Sequence, residues 1–382
     1  MLRGITTTLL AEASWRGRLP VSEQLIGIFE VDEGHLPAVI DGLAPRMILI
    51  TNLFRDQLDR YFEVDFVASL WATAFQRLPP STTLILNADD PLVAYLGESV
   101  SNPVLYYGLE DGRWGRSQLQ HSADSRRCPR CASDLQYSRS FYAHLGHYAC
   151  AACGWHRPTP RLSAWQVEVE GLEGSTIKLQ TPWGPQTLAV PLPGLFNAYN
   201  AIAAAATAYS LGVRPDVVRE AVGDVPGAFG RLERFELDGR RVLLALVKNP
   251  CSFDQVTEIL LRTRSTLRLV LALNDNGQDS RDVSWIWDVG FEQLCGRLEW
   301  VIASGHRAAD LAVRLKYAGV LEGASGDLQM LSTVPSLADA ADQGLRRTPP
   351  GQELTIIATY TAMWALREMF VRRGHLVPFW QA

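Results

Sequence analysis

Four cysteines constrain this chain more than any other feature: Cys128, Cys131, Cys150 and Cys153 fall in the spacing C-x2-C-x18-C-x2-C. Two residues between cysteines let one tight turn aim both thiolates at a single tetrahedral ion, and the 18 intervening residues form a hairpin that brings the second turn opposite the first. Pro129 and Gly154 suit those turns. Six cysteines in 382 residues are too few for a disulfide scaffold, so the pattern reads as a zinc ribbon in a reducing compartment. A closed four-thiolate site leaves no open position for water, which makes Zn2+ here structural and not catalytic. Cys251 and Cys295 stand in no recognisable nucleophile motif and read as packed thiols.

Around the ribbon the chain reads as α/β. A helix is expected over Gly4 to Trp15, with strands at Leu25 to Val31, Met47 to Thr51 and Leu84 to Asn87; short apolar strands between helical patterns indicate a parallel sheet with crossover helices. From about Asp124 to Arg157 the composition shifts to Cys, Arg, His and Tyr, and Trp165 to Val190 then alternates like antiparallel strands. Asn197 to Leu211 returns as an alanine-rich helix that Gly212 ends. A second βαβ array follows, with strands at Val242 to Val247, Leu267 to Leu273, Trp300 to Ala303 and Leu354 to Ala358. The expected division is a first unit over 1–228, carrying the ribbon at about 124–157, and a Rossmann-like unit over 229–382.

Bulk properties remove several classes of function. A net charge of -5 gives no electrostatic footprint for nucleic acid, and Arg126, Arg127, Arg130, Arg139 and Tyr137 around the cysteines read as a solvated face. No apolar stretch approaches the roughly 20 residues of a transmembrane segment, and no signal peptide is evident, so a cytoplasmic location is expected.

Polar groups recur where strands end, which is where an open α/β sheet places its ligands. Phe29-Glu30-Val31-Asp32-Glu33 closes the first expected strand, Thr51-Asn52-Leu53-Phe54-Arg55-Asp56-Gln57-Leu58-Asp59-Arg60-Tyr61 follows the second, and Asn87-Ala88-Asp89-Asp90-Pro91 follows the third. Together with Pro193 to Ala201, Gly230-Arg231-Leu232-Glu233, Lys248-Asn249-Pro250, the run from Leu273 to Asp288 and Tyr360 to Met363, these segments resemble the Mur ligase family, and specifically its MurT branch.

The resemblance implies a central ATP-binding domain and a C-terminal α/β domain. It implies Glu30 as a Mg2+ ligand, Asn197 and Asn200 in the adenine-contacting segment, and Arg231 near the phosphates. Gln57 stands where most Mur ligases carry a metal-binding histidine, and is expected to act through water because a neutral amide is a poor Mg2+ partner. The implied activity is ATP-dependent amidation of the D-glutamate α-carboxylate in the lipid II stem peptide at the inner membrane face. Ammonia is expected from a GatD-type glutamine amidotransferase, whose Cys-His pair an aspartate of this chain supports; Asp275, Asp279 and Asp282 are the candidates. The alternatives are a Mur-like amino-acid ligase with another acceptor and a non-catalytic scaffold subunit.

The sequence departs from the family in three places. No glycine-rich loop ending in Gly-Lys-Thr occurs, and Met1 to Thr7 resembles a segment downstream of that loop, so the chain as given is expected to bind ATP poorly. Cys251-Ser252 and Ser280 replace small residues or glycine, which puts local loop geometry in question.

Overall fold

The computed structural model describes residues 2–20, 25–55, 63–225, 232–320 and 330–378. It contains two six-stranded sheets, one in each half of the chain, and a separate two-stranded hairpin.

The first sheet is formed by β1 (Met47–Ile50), β2 (Thr83–Asn87), β3 (Val104–Leu109), β6 (Leu162–Glu170), β7 (Gly174–Thr181) and β8 (Gly184–Val190), in that spatial order. Its members are parallel from β1 through β6 and antiparallel from there to β8. Strand β2 shows why both faces are covered: Leu84 and Leu86 point to one side, Ile85 to the other, and all three are fully buried. On the first side pack α2 (Leu36–Leu43), α3 (Val64–Phe75) and α4 (Pro91–Leu96), through residues such as Ile40, Trp71 and Phe75. The alanine-rich α5 (Leu195–Ser210) covers the second, its small side chains letting the backbone approach the sheet. Gly212 follows with φ +79°, and Val213 N–H closes on the Ala208 carbonyl at 3.0 Å, ending the helix as expected. Helix α1 (Leu2–Glu12) lies near the start of the chain, and α6 (Pro215–Gly223) packs on β8.

The expected strand at Leu25 to Val31 does not form; these residues are irregular, with Ile26 and Ile28 exposed. Strand-forming composition alone does not make a strand: the run forms no ladder with β1, which among the described residues is the open edge of the sheet on that side.

Between β3 and β6 the chain leaves the sheet to build the hairpin β4 (Gln136–Tyr142) and β5 (Leu145–Ala149). In the C-terminal half, β9 (Glu233–Leu237), β10 (Arg240–Leu246), β11 (Leu267–Ala272), β12 (Leu298–Ser304), β13 (Leu331–Thr333) and β14 (Glu353–Ala358) assemble in the order β13-β12-β11-β14-β10-β9. All are parallel except β9, which pairs antiparallel with β10. Helices α7 (Pro250–Thr263) and α8 (Ala308–Tyr317) cover one face, α9 (Leu337–Arg347) and α10 (Tyr360–Arg372) the other. Because β14 lies between β10 and β11, the order reverses there, and the strand ends open a crevice of the kind that holds ligands.

The two halves meet along α7. Gly194, at φ +96°, sits so close to it that a Cβ would lie 2.6 Å from Ile259 Cδ1. Phe196 packs into the cores of both halves. Polar links reinforce the joint: Arg116 to Glu258 at 2.7 Å, and Ser122 Oγ donating to Asp254 at 2.9 Å.

Candidate functional site

The cysteine cluster is assembled by two turns of the same construction. Ala132 N–H donates to the Cys128 carbonyl and Gly154 N–H to the Cys150 carbonyl, at 2.8 and 2.9 Å; Cys128 N–H and Cys150 N–H return to Ser133 and Trp155 at 2.7 Å each. Both turns need a left-handed residue after the second cysteine, Ala132 at φ +60° and Gly154 at +76°. The sulfurs of Cys128 and Cys153 stand 3.7 Å apart, those of Cys131 and Cys150 3.5 Å, and all four lie within 4.8 Å of one another. An ion held by four thiolates at about 2.3 Å occupies a tetrahedron with edges of about 3.8 Å, so the donor set fits a tetrahedral thiophilic metal. In the metal-free cluster hydrogen bonds from Ser133 bring the Cys131 thiol down to about 6, while burial pushes the Cys128 thiol up to about 12, so Cys131 alone of these two favours the thiolate a metal requires.

The ribbon is fastened to the sheet rather than appended to it. Gly146 N–H donates to the Asp89 carbonyl at 2.9 Å, Tyr148 Oη to the Ala88 carbonyl at 2.9 Å, and Trp155 Nε1 to Glu98 at 2.5 Å. Arg157, just beyond the second turn, holds the fully buried Asp89 at 2.5 Å and Glu110 at 2.8 Å.

Asp89 also accepts from Leu109 N–H at 2.8 Å and from Tyr199 Oη at 2.6 Å; burial beside that carboxylate pushes the Tyr199 phenol well above its usual range. Asp90 caps α4 through Leu92 and Val93 N–H, accepts from Leu53 N–H at 2.7 Å and meets His144 Nε2 at 3.3 Å. His144 Nδ1 accepts from Asp124 N–H at 3.3 Å, which leaves Nε2 to face Asp90. The acids that end β2 are therefore spent on structure.

The other expected nucleotide and metal residues are less assembled. Glu30 is exposed in an irregular segment. Asn200 is exposed on α5, whereas Asn197 is buried and its amide donates back to the Pro193 carbonyl at 2.8 Å. Gln57 and Arg231 lie outside the described residues.

The three candidate aspartates are distinguished by their surroundings. Asp279 is buried, and both its oxygens are taken by Thr361, the backbone N–H at 2.7 Å and the hydroxyl. Asp275 is engaged by Arg307 at 2.7 Å and His306 at 3.2 Å. Asp282 is exposed, and one oxygen accepts from Ser284 N–H at 2.8 Å; the Ser284 side chain and backbone hold its carboxyl below the usual range.

Other polar groups gather at the joint. A cleft between the halves is lined by Arg55, Lys248, Ser280, Asp282, Trp285 and Asp288, and Arg55 spans it. Asp254 on α7 is buried, and its carboxyl is pushed up to about 6 by that burial. Cys251 is buried as expected, its thiol pushed well above normal by desolvation, but Cys295 is exposed rather than packed, its Sγ reaching the Ala318 carbonyl at 3.0 Å. The two suspect loops resolve differently. Ser252 fits its place, completing a capping box with Asn249, while Ser280 has φ +77°, a glycine-like conformation.

The MurT subunit of lipid II isoglutaminyl synthase from Streptococcus pneumoniae is 32% identical to this chain over 98% of its length and 79% of the relative's. The chain belongs to the MurT family of Mur ligases. Mur ligases form C–N bonds, and membership places the chain among such enzymes. The Mur ligase middle domain family matches residues 17–146, and the MurT ligase C-terminal family matches 246–363. A MurT subunit from Staphylococcus aureus is 31% identical over 84% of this chain and 69% of its own. Among solved structures, a pseudomurein peptide ligase type C from Methanothermus fervidus superimposes with a TM-score of 0.67 at 21% identity, covering 88% of this chain and 65% of that one. Mycobacterium tuberculosis folylpolyglutamate synthase, complexed with ADP and AMPPCP, gives 0.56 at 17% identity, covering 86% and 64%. The chain thus spans somewhat less than two thirds of these solved relatives, and they establish its fold.

Proposed function

We propose that this chain is the ligase subunit of a cytoplasmic lipid II isoglutaminyl synthase. The observation that carries this reading is that the likeness to MurT subunits runs through both halves, the C-terminal half included. The substrate carboxylate is a poor electrophile; transfer of the γ-phosphoryl of ATP makes it an acyl phosphate and releases ADP. Ammonia attacks that carbonyl, phosphate leaves, a proton is lost, and the D-glutamate α-carboxylate becomes the amide of D-isoglutamine. Glu30 among the described residues, with Gln57 acting through water, would hold Mg2+, which would supply positive charge against the transferring phosphoryl group. Asn197, Asn200 and Arg231 contribute to nucleotide binding. The cysteine cluster holds Zn2+ as a structural ion, consistent with its sulfur spacings.

Ammonia is mostly protonated in neutral water, so a GatD-type glutaminase docked on the C-terminal half supplies it directly. Of the three candidate acids, Asp282 suits the role of orienting a partner histidine: it is exposed and ionised, whereas Asp279 is buried and satisfied and Asp275 is held by a cation. The lipid substrate is met at the inner membrane face; no described helix is long and apolar enough to cross a membrane.

The test is glutamine hydrolysis by the co-purified pair. Asp282→Asn should lower turnover by about a thousandfold or more while the complex still assembles, and Asp275→Asn and Asp279→Asn should retain it if they fold. Full activity in Asp282→Asn overturns the assignment. Ligation with an added amino acid and no partner would favour the alternative of a Mur-like amino-acid ligase.

A further inference from the structure

The segment 51–55, at the end of β1, is clamped from four sides. Tyr107 Oη donates to the Thr51 carbonyl at 3.1 Å, and Leu53 N–H donates to Asp90 at 2.7 Å. The Phe54 ring rests 4.8 Å from the His144 ring and 5.9 Å from Tyr142. Arg55 N–H donates to Asp124 at 2.9 Å, and its Nε contacts the other oxygen of the same carboxylate. The remaining arm of the guanidinium, Nη2, crosses to the C-terminal half and donates to Asp288 at 3.0 Å.

The two ends of this bridge differ in strength. The Asp124 side chain is 5% exposed and binds both the backbone and the guanidinium of Arg55, whereas Asp288 is 41% exposed and makes a single contact with it. One cation shared by two carboxylates leaves the group with a net negative charge, so the outer contact is the one that gives way. Half-exposed ion pairs contribute little to permanent stability, which suits a contact that forms and breaks.

Asp288 ends a short 3-10 turn, Ser284–Asp288, that begins two residues after Asp282. The turn is rigidly seated: Ile286 is buried, and the buried Arg314 donates to the carbonyls of Ile286 and Val289 at 3.2 and 2.7 Å. One buried, hydrogen-bonded element thus lies between Asp282 and the Asp288 contact with Arg55.

We propose that Arg55 is a positioning residue that couples the seating of the 284–288 turn, through Asp288, to the geometry of the segment that ends β1. Separate arms of one planar fork stay on Asp124 and reach Asp288 at the same time, a span that the compact, single-point ammonium of a lysine does not reproduce. The consequence for catalysis rests on the ligase reading above: docking of the glutaminase at Asp282 then tightens the strand end on the substrate side.

Amide hydrogen exchange on the full chain, without nucleotide or partner, tests the coupling apart from that reading. Asp288→Asn, which leaves no buried charge, should speed exchange in peptides covering 50–55 about fivefold while peptides from β2 and β3 stay unchanged. Arg55→Lys should do the same. Adding Asp288→Asn to Arg55→Gln should add nothing, since the link is already cut. Unchanged exchange at 50–55 in Asp288→Asn, or additive effects in the double variant, overturns the proposal. A glutaminase that fails to bind while the exchange pattern holds would instead count against the functional reading alone.

Discussion

Asp254 lies on α7 at the joint between the two halves, 3% exposed, with one oxygen accepting from Ser122 Oγ and the other from Gly290 N–H, each at 2.9 Å. Burial lifts its carboxyl from 3.8 to about 6, against the opposing pull of those bonds and of Arg116. A raised acid binds its proton more tightly folded than unfolded. Its contribution is therefore fully present below about pH 4 and is lost as the pH rises through about 6. At about 1.4 kcal/mol per tenfold change in proton affinity, the loss above that range is on the order of 3 kcal/mol. Asparagine has the same shape and no charge: its oxygen accepts from Gly290, and its amide donates to the Ser122 hydroxyl. Asp254→Asn should match the parent in stability near pH 4 and exceed it by up to about 3 kcal/mol at pH 7.5, with the gain developing between those values. Urea unfolding across that range, followed by tryptophan fluorescence, measures the difference. A variant no more stable than the parent at pH 7.5, or a difference that does not vary with pH, refutes the claim that an ionised Asp254 strains the joint.

The cysteine cluster should hold one zinc per chain, measured by elemental analysis of the purified protein; well under one equivalent with four freely titrating thiols would remove the metal from this account. Cys150→Ser should unfold the hairpin 136–149, seen as loss of its amide protection, while β1 to β3 persist, because structural zinc supplies folding energy locally. Ser280→Gly should stabilise the chain by about 0.5–1 kcal/mol in urea unfolding, since the relief of a left-handed serine at φ +77° exceeds glycine's extra entropy in the unfolded state; a loss of stability would show that the Ser280 hydroxyl, 3.3 Å from the Asp282 carbonyl, matters more than the strain.

Local periodicity and spacing made much of the architecture readable. Cysteine spacing announced the ribbon because the geometry of a two-residue turn is local, and the alanine run announced α5 because 16 residues of one pattern outvote any single contact. The run Leu25 to Val31 misled for the complementary reason. Its composition favours a strand, but strand formation depends on a neighbour that the sequence of the run does not describe. The edge strands β9 and β13 went unseen, Leu331–Thr333 being only 3 residues long and none of them buried, so neither length nor apolar alternation marks it. Asp254 reads as one polar residue on a helix; its character comes from Ser122, 132 positions earlier, and that meeting is a product of the fold.

The site was harder to read because a polar residue at a strand end has two physical explanations, and only burial separates them. Asp89 and Asp90 sit where a ligand-binding acid belongs, yet both are fully buried, their oxygens taken by Arg157, Tyr199, Leu109, His144, Leu53 and the first turn of α4. A carboxylate whose acceptor sites are occupied by protein donors has little left for a metal or a partner, and removing those donors would leave an unpaired buried charge. The same test favours the opposite residues. Asp282 and Asp288 keep accessible carboxylates; Asp282 lies two residues before one seated turn and Asp288 ends it, the first facing solvent and the second facing Arg55. If chemistry is to pass between the halves of this molecule, it has a route through groups that remain partly open, which is why the exposed end of the bridge and not the buried acids is where substitution should alter coupling without collapsing the fold.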